Sequence, residues 1–193
     1  MIFFLNTIKA FFAIFGVMDP LGNVPVFLSL TENFDYKIKK QLAIKAVITA
    51  GIILIIFLFL GNMILDFFHI SVQSFRIAGG IILILIGLQI LFDIRFAKET
   101  STQIDDISAV PLATPLIAGP GMITAVIIFS KEYGYLITII GIFANLLLSW
   151  ILFRFAHHIV KLVGKNGTLI FAKFMSLILV AIGVEFIKNA FNF

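Results

Sequence analysis

Phe15-Gly16-Val17-Met18-Asp19-Pro20-Leu21-Gly22-Asn23-Val24-Pro25-Val26-Phe27 puts two prolines, two glycines and a carboxylate inside an otherwise apolar stretch, residues 3–30. That stretch is long enough to span a bilayer, which needs about 20 apolar residues. Proline removes a backbone donor and clashes with the preceding turn, so the span is expected to unwind near its middle. Unwound backbone cannot face lipid, because its N–H and C=O groups would go unsatisfied. It must line a cavity or pack within protein.

A second broken span follows. Pro111-Leu112-Ala113-Thr114-Pro115-Leu116-Ile117-Ala118-Gly119-Pro120-Gly121-Met122-Ile123-Thr124 carries three prolines and a Gly-Pro-Gly. Pro25 and Pro120 both suit the first turn of a restarting half-helix. Two half-helix N-termini then aim positive dipole ends at one place, which should attract an anion such as a substrate carboxylate. Prolines can also kink membrane helices for packing alone. Two clusters at equivalent places, one beside an acid, favour a cavity.

Composition leaves only the bilayer as solvent. Of 193 residues, 61% are hydrophobic and 12% charged, against about 25% charged in soluble domains. A water-soluble chain and a disordered one are both excluded. The net charge of +4 reflects Lys and Arg in the gaps between apolar runs, which marks membrane orientation and not nucleic-acid binding. There are no cysteines, so disulfides, Cys-ligated zinc and thiol chemistry are out. The apolar N-terminus lacks a basic leader region and a small-residue cleavage site, and reads as a retained first segment.

Six segments qualify as spans: 3–30, 43–61, 74–92, 108–130, 134–153 and 172–190. The polar stretch 95–107 divides residues 1–94 from 108–193. A shift of 96 residues lays Leu85-Ile86-Gly87-Leu88-Gln89-Ile90 on Ala181-Ile182-Gly183-Val184-Glu185-Phe186, and a shift of 100 lays Asp19-Pro20-Leu21-Gly22 on Gly119-Pro120-Gly121-Met122. Three spans per repeat is an odd number, so the halves should enter the membrane in opposite senses. The expected fold is an all-α integral membrane protein of two inverted three-helix repeats, with spans one and four broken at their Pro/Gly motifs. Lys37, Lys39, Lys40, Arg95, Lys98, Arg154, Lys161 and Lys165 outnumber Arg76, Lys131 and Lys188. The richer side should be cytoplasmic, which puts both termini outside a plasma (inner) membrane.

Among the polar residues inside the spans, Asp19 is foremost. Its carboxylate suits a substrate ammonium, Na+ or a proton, and it also suits capping of the half-helix. Gly22, Asn23, Thr114, Gly119, Gly121 and Thr124 are the other candidate substrate contacts. Each threonine hydroxyl is equally suited to its own helix carbonyl. Glu185 is a candidate second ion-coupling group, with Lys188 close enough in sequence to pair with it instead. Gln89, its repeat equivalent, reads as an interfacial hydrogen bonder. Asn145 reads as interhelical glue, Gly79-Gly80 with Gly87 as a close-packing face, and Trp150 as an interface anchor. His157-His158 has no third ligand nearby, so no metal site is expected. No enzyme motif and no Walker A pattern occurs, and no cofactor is expected beyond a coupling H+ or Na+.

At these residues the sequence resembles the MarC family of six-span membrane proteins, which includes the SnatA-type small neutral amino acid transporters. The likeness lies in Asp19-Pro20-Leu21-Gly22-Asn23-Val24-Pro25-Val26-Phe27, in Ala78-Gly79-Gly80-Ile81-Ile82-Leu83 with Ile86-Gly87-Leu88-Gln89, and in residues 111–124, and covers nearly the whole chain. It implies a proton-coupled carrier of glycine and alanine. A wider kinship with LysE-type amino acid exporters leaves import and export both open. The function expected is secondary transport of small neutral amino acids, coupled to H+ or Na+. The alternatives are export of another small metabolite or drug, and a structural membrane protein that does not transport. The partners expected are the bilayer and the small substrate, with a homodimer compatible with so short a chain.

Overall fold

The computed structural model describes residues 2–31, 34–92 and 117–191. Seven helices are present among them: α1 (Ile2–Met18), α2 (Asn23–Leu30), α3 (Tyr36–Phe67), α4 (Val72–Leu91), α5 (Pro120–Tyr133), α6 (Tyr135–Arg154) and α7 (Ala156–Phe191). No strand occurs among the described residues. Among the described residues, four helical stretches are long and apolar enough to cross a membrane: α3, α4, α6 and Leu169–Phe191 of α7.

The first expected span is split where the sequence places the break, with α1 ending at Met18 and α2 beginning at Asn23. Of the fourth, α5 forms the second part, and residues 108–116 lie outside the described residues, as do Thr114 and the stretch 95–107. The second span is longer than its apolar run: α3 has 32 residues, because Tyr36-Lys37-Ile38-Lys39-Lys40 and Asn62-Met63-Ile64-Leu65-Asp66-Phe67 are competent helix formers that continue past residues 43–61. α7 is interrupted at Gly164, whose φ of 80° suits glycine and few other residues. Gly134, with φ 82°, makes the sharp turn from α5 into α6.

Contacts fix the helix directions. Ala10 and Ile14 lie at Gly141, Phe11 at Asn145 and Met18 at Ser149, so α1 and α6 run parallel. Gly51 meets Leu146 and Asn62 meets Tyr135, so α3 runs against α6. α4 runs against α5 through Gly79 with Thr124 and Leu83 with Gly121. It also runs against α7, where a Cβ at Gly80 would sit 2.5 Å from the Gly183 carbonyl oxygen and one at Gly87 would sit 2.8 Å from that of Ser176. Of the glycines expected to form one face of the third span, Gly80 and Gly87 are used against α7 for close backbone approach, while Gly79 is turned to Thr124 of α5.

The core lies between these helices. Ile14, Met18, Phe27, Leu42, Leu54, Leu58, Leu83, Ile128 and Ile142 are fully buried, and Phe27 stacks on Phe153 with ring centroids 4.7 Å apart. Large apolar side chains also point outward, among them Phe12, Phe59, Met63, Leu85, Phe143, Leu147 and Phe174. That surface suits lipid and not water. Hydroxyls inside the spans donate to carbonyls of their own helices: Thr31 to Phe27, Ser130 to Ile127, Thr138 to Gly134, Ser149 to Asn145 and Ser176 to Lys173. Asn145 ties α6 to α1, its amide donating to the Phe11 carbonyl at 3.1 Å and to the Gly141 carbonyl at 2.9 Å.

Candidate functional site

The site is built on the two breaks. Pro20 disfavours the right-handed helical region at Asp19, so α1 cannot pass through it. Asp19 instead takes φ 43°, a left-handed conformation that Asp and Asn tolerate better than other side-chain-bearing residues. Its amide still donates to the Phe15 carbonyl at 2.8 Å, closing the last turn of α1. Its carboxylate folds forward, and Oδ1 accepts the Gly22 amide at 3.0 Å. Gly22 leaves room for this, because a Cβ there would collide with the Asp19 carboxylate. The Asn23 side-chain amide reaches back to the Met18 carbonyl at 2.9 Å. The Asp19 carboxylate therefore closes the turn that leads into α2, accepting the amide of the residue just before the helix. At 5% exposure, it also lines a cavity.

That cavity has a volume of about 570 Å³, within the range of about 300–1,000 Å³ typical of small-molecule sites. Its lining includes the polar residues Asp19, Asn23 and Gln89 and the Gly119-Pro120-Gly121 turn. The rest is apolar: Val17 and Met18 of α1, Ile82, Leu83, Leu85, Ile86 and Ile90 of α4, Met122 of α5 and Leu179 of α7. The starts of α2 and α5 thus border one space, as expected from the two Pro/Gly motifs.

The two helix starts are not equal. At α2 the Asn23 amide donates to the Asp19 carbonyl and the Val24 amide to the Leu21 carbonyl, both at 3.1 Å. At α5, Gly119 is the N-cap in extended conformation and Pro120 opens the first turn. The Ile123 amide donates to the Gly119 carbonyl at 2.9 Å. Gly121 and Met122 precede it in the first turn, where helix geometry leaves amides without intrahelical partners, and both line the cavity. The α5 start is therefore the better anion-facing end. The sequence alone suggested two equivalent ends, because it does not show that the Asp19 turn occupies the first amides of α2.

Of the candidate site residues, the structure brings Asp19, Asn23, Gly119 and Gly121 together around the cavity, with Gly22 directly behind the Asp19 carboxylate. Thr124 is buried one turn further on. Its hydroxyl donates to the Pro120 carbonyl at 2.9 Å, and its methyl packs on Gly79 of α4. Thr124→Val should therefore keep substrate affinity within about twofold, since no substrate bond is removed; a loss of tenfold or more in a binding titration would return the hydroxyl to the site. Thr114 lies outside the described residues. Glu185 does not reach the cavity: it points outward at 54% exposure, with Lys188 Nζ 3.5 Å from its carboxylate. Gln89 shows the reverse. Read from sequence as interfacial, it lines the cavity one turn beyond Ile86. The signal available was its helical register, seven residues after Ile82 and three after Ile86 on one face.

Among the described residues, no group of three or more His, Cys, Asp or Glu side chains is placed to hold a metal ion.

Comparison with known proteins places the chain. It matches the family model described as MarC family integral membrane protein over residues 4–192. The chain belongs to the MarC family. A UPF0056 membrane protein of Buchnera aphidicola subsp. Acyrthosiphon pisum is similar to it at 38% identity, with 94% of this chain and 90% of the relative covered. One from Methanocaldococcus jannaschii is 40% identical, with 94% of each covered. The UPF0056 membrane protein YhcE of Escherichia coli is 36% identical, with 93% of this chain and 88% of the relative covered. No solved structure matches the chain significantly. The cavity thus belongs to a MarC-family integral membrane protein, and its Asp19 and Gly119–Gly121 borders fall within the matched residues.

Proposed function

We propose that this chain is a secondary transporter of small neutral amino acids, of the glycine and alanine type, coupled to H+ or Na+. The observation that carries the reading is the meeting of the α2 and α5 starts with Asp19 around one cavity. A zwitterion needs an anion-facing and a cation-facing group within a short reach. The Gly121 and Met122 amides supply the first, and Asp19, with Asn23 and Gln89 near it, supplies the second. The apolar wall of α4 accommodates a small aliphatic side chain. Asp19 also serves as the coupling group, its carboxylate binding and releasing H+ or Na+ as the site changes access.

The moving parts in this reading are two inverted repeats, 1–94 and 108–193, rocking about the cavity. Helix directions support it: α1 runs with α6 and against α3, while α4 runs against both α5 and α7. The α4–α7 contact supports it more sharply. Gly87 meets Ser176 and Val180, and Gly183 meets Gly80 and Ile84. A shift of 96 residues exchanges these two sets of contacts, the same shift that aligns the halves in sequence. The basic ends of α3 and α6 face the cytoplasm in this arrangement, and both termini lie outside.

The test is counterflow of radiolabelled alanine and glycine in liposomes containing the purified protein, with protein-free liposomes as control. Counterflow that unlabelled small amino acids compete is the expected result. Its absence for a panel of amino acids, with protein shown to be folded, would sink the amino acid reading and favour export of another metabolite.

A further inference from the structure

A second cavity lies away from the breaks, in the outer groove between α3 and α6. Its volume is about 750 Å³, and its lining is apolar. On α3 the stripe runs through Ile44, Val47, Ile48, Gly51, Ile52 and Ile56, and on α6 through Phe143, Leu147 and Trp150. Gly51 deepens the groove at its middle, where a Cβ would sit 3.1 Å from Leu146. From Ile44 to Ile56 the groove is about 18 Å long at 1.5 Å per residue. One leaflet of hydrocarbon is about 15 Å thick, half of the bilayer core.

The two ends of the groove differ in chemistry. Toward Ile56 it is closed by protein, where Tyr135 stacks on Phe59 at 5.7 Å and its hydroxyl accepts from Asn62 at 3.3 Å. At the other end both stripes turn basic. One helical turn before Ile44, on the same face of α3, stands Lys40, and Lys37 stands one position short of a further turn. One turn after Trp150, on the same face of α6, stands Arg154. α3 and α6 are antiparallel, and the pairs Gly51–Leu146 and Asn62–Tyr135 put Arg154 level with residue 43 of α3, so that Lys40 stands about 4.5 Å further out at 1.5 Å per residue, within reach of a common phosphate. The Arg154 guanidinium is 5.6 Å from the Trp150 ring centre, which holds it at the mouth of the groove.

We propose that this groove binds an anionic phospholipid, with one acyl chain between α3 and α6 and the phosphate held by Arg154 and Lys40. The length of the groove fits one leaflet. The basic side chains that continue the two stripes lie at one end only, where a headgroup would sit, and a guanidinium pairs with phosphate in a planar, two-pronged geometry. A second protein copy would need a complementary apolar ridge and would gain nothing from the basic rim. An uncharged lipid would likewise leave the rim unused. The basic end is the one that positive residues assign to the cytoplasm, whose leaflet carries the anionic lipid.

The chain contains one tryptophan, and it lines this groove, so its fluorescence reports occupancy directly. The purified protein is reconstituted in phosphatidylcholine vesicles with increasing fractions of brominated phosphatidylglycerol or, separately, brominated phosphatidylcholine. Quenching of Trp150 should show a preference of roughly fivefold or more for the anionic lipid, the factor expected from one basic side chain near the membrane surface. Arg154→Gln with Lys40→Gln should bring the preference close to one, while Lys131→Gln, at the opposite end of the membrane, should leave it intact. Equal quenching by both lipids in the unaltered protein would overturn the proposal, and so would a preference that survives the double substitution. Weak quenching by both lipids would place protein, such as a second copy, in the groove and would also overturn it.

Discussion

Asp19→Asn is expected to leave the protein folded and to abolish the dependence of transport on a proton or Na+ gradient. The two halves of that result come from different atoms. The turn at the first break needs an acceptor for the Gly22 amide and a residue that tolerates φ 43°. Asn supplies both: its side-chain oxygen can take the place of Oδ1, and its tolerance of the left-handed region matches that of Asp. What Asn lacks is a charge that a cation can neutralise. Uptake driven by an imposed pH or Na+ gradient should therefore fall to the level of protein-free liposomes, with the melting temperature within a few degrees of the unaltered protein. Gradient-driven uptake that persists at the original rate removes Asp19 from the coupling step.

Asp19→Ala separates folding from coupling in the other direction. Alanine keeps neither the cap nor the left-handed tolerance. Loss of a capping acceptor costs about 1 kcal/mol, and holding an ordinary residue in the left-handed region costs about 1–2 kcal/mol. The alanine variant should melt clearly below the asparagine variant. Equal melting of the two would mean that the Asp19–Gly22 hydrogen bond contributes little to the break.

Residue order carries the features that act locally and omits those that depend on packing. The break at Pro20 and the restart at Pro120 were legible because proline acts locally, through its own ring and missing N–H. Of the six expected spans, the second, third, fifth and sixth were legible for a similar reason, since lipid exposure sets composition residue by residue. The placement of Thr124, Gln89 and Glu185 was not. Each sits on a helix, and whether it faces the cavity depends on helix rotation set by packing elsewhere. Gly79, lacking a Cβ, leaves the room in which the Thr124 methyl packs onto α4. The register that carries Ile82 and Ile86 to the cavity brings Gln89 with them, while Glu185 faces outward beside Lys188. The inequality of the two helix starts was hidden as well, because it depends on the turn through which Asp19 approaches Gly22.

The second large effect is expected at the contact between α4 and α7. A methyl group added at Gly80 would meet the Gly183 carbonyl oxygen at 2.5 Å, and one added at Gly183 would meet that of Gly80 at 2.7 Å. Both obstacles are helical backbone, so no side chain can swing away and the helices must separate. Overpacking of this kind costs typically about 1–3 kcal/mol. Gly80→Ala and Gly183→Ala should each lower the melting temperature markedly, with SDS titration giving the same order. Gly51→Ala is the milder comparison, because its new methyl would meet only the end of the Leu146 side chain at 3.1 Å. The pair should also be non-additive: once one methyl has parted the helices, the second enters a gap that already exists, so the double variant should lose less than the sum of the two. Additive losses would mean that the two glycines do not share one contact. Stability equal to the unaltered protein in either single variant would mean that α4 and α7 are not held at this distance. The contact also bears on the cavity, because α4 and α7 contribute Leu83 and Leu179 to its wall. Parting the helices should therefore weaken substrate binding in Gly80→Ala, although Gly80 itself touches no part of the cavity.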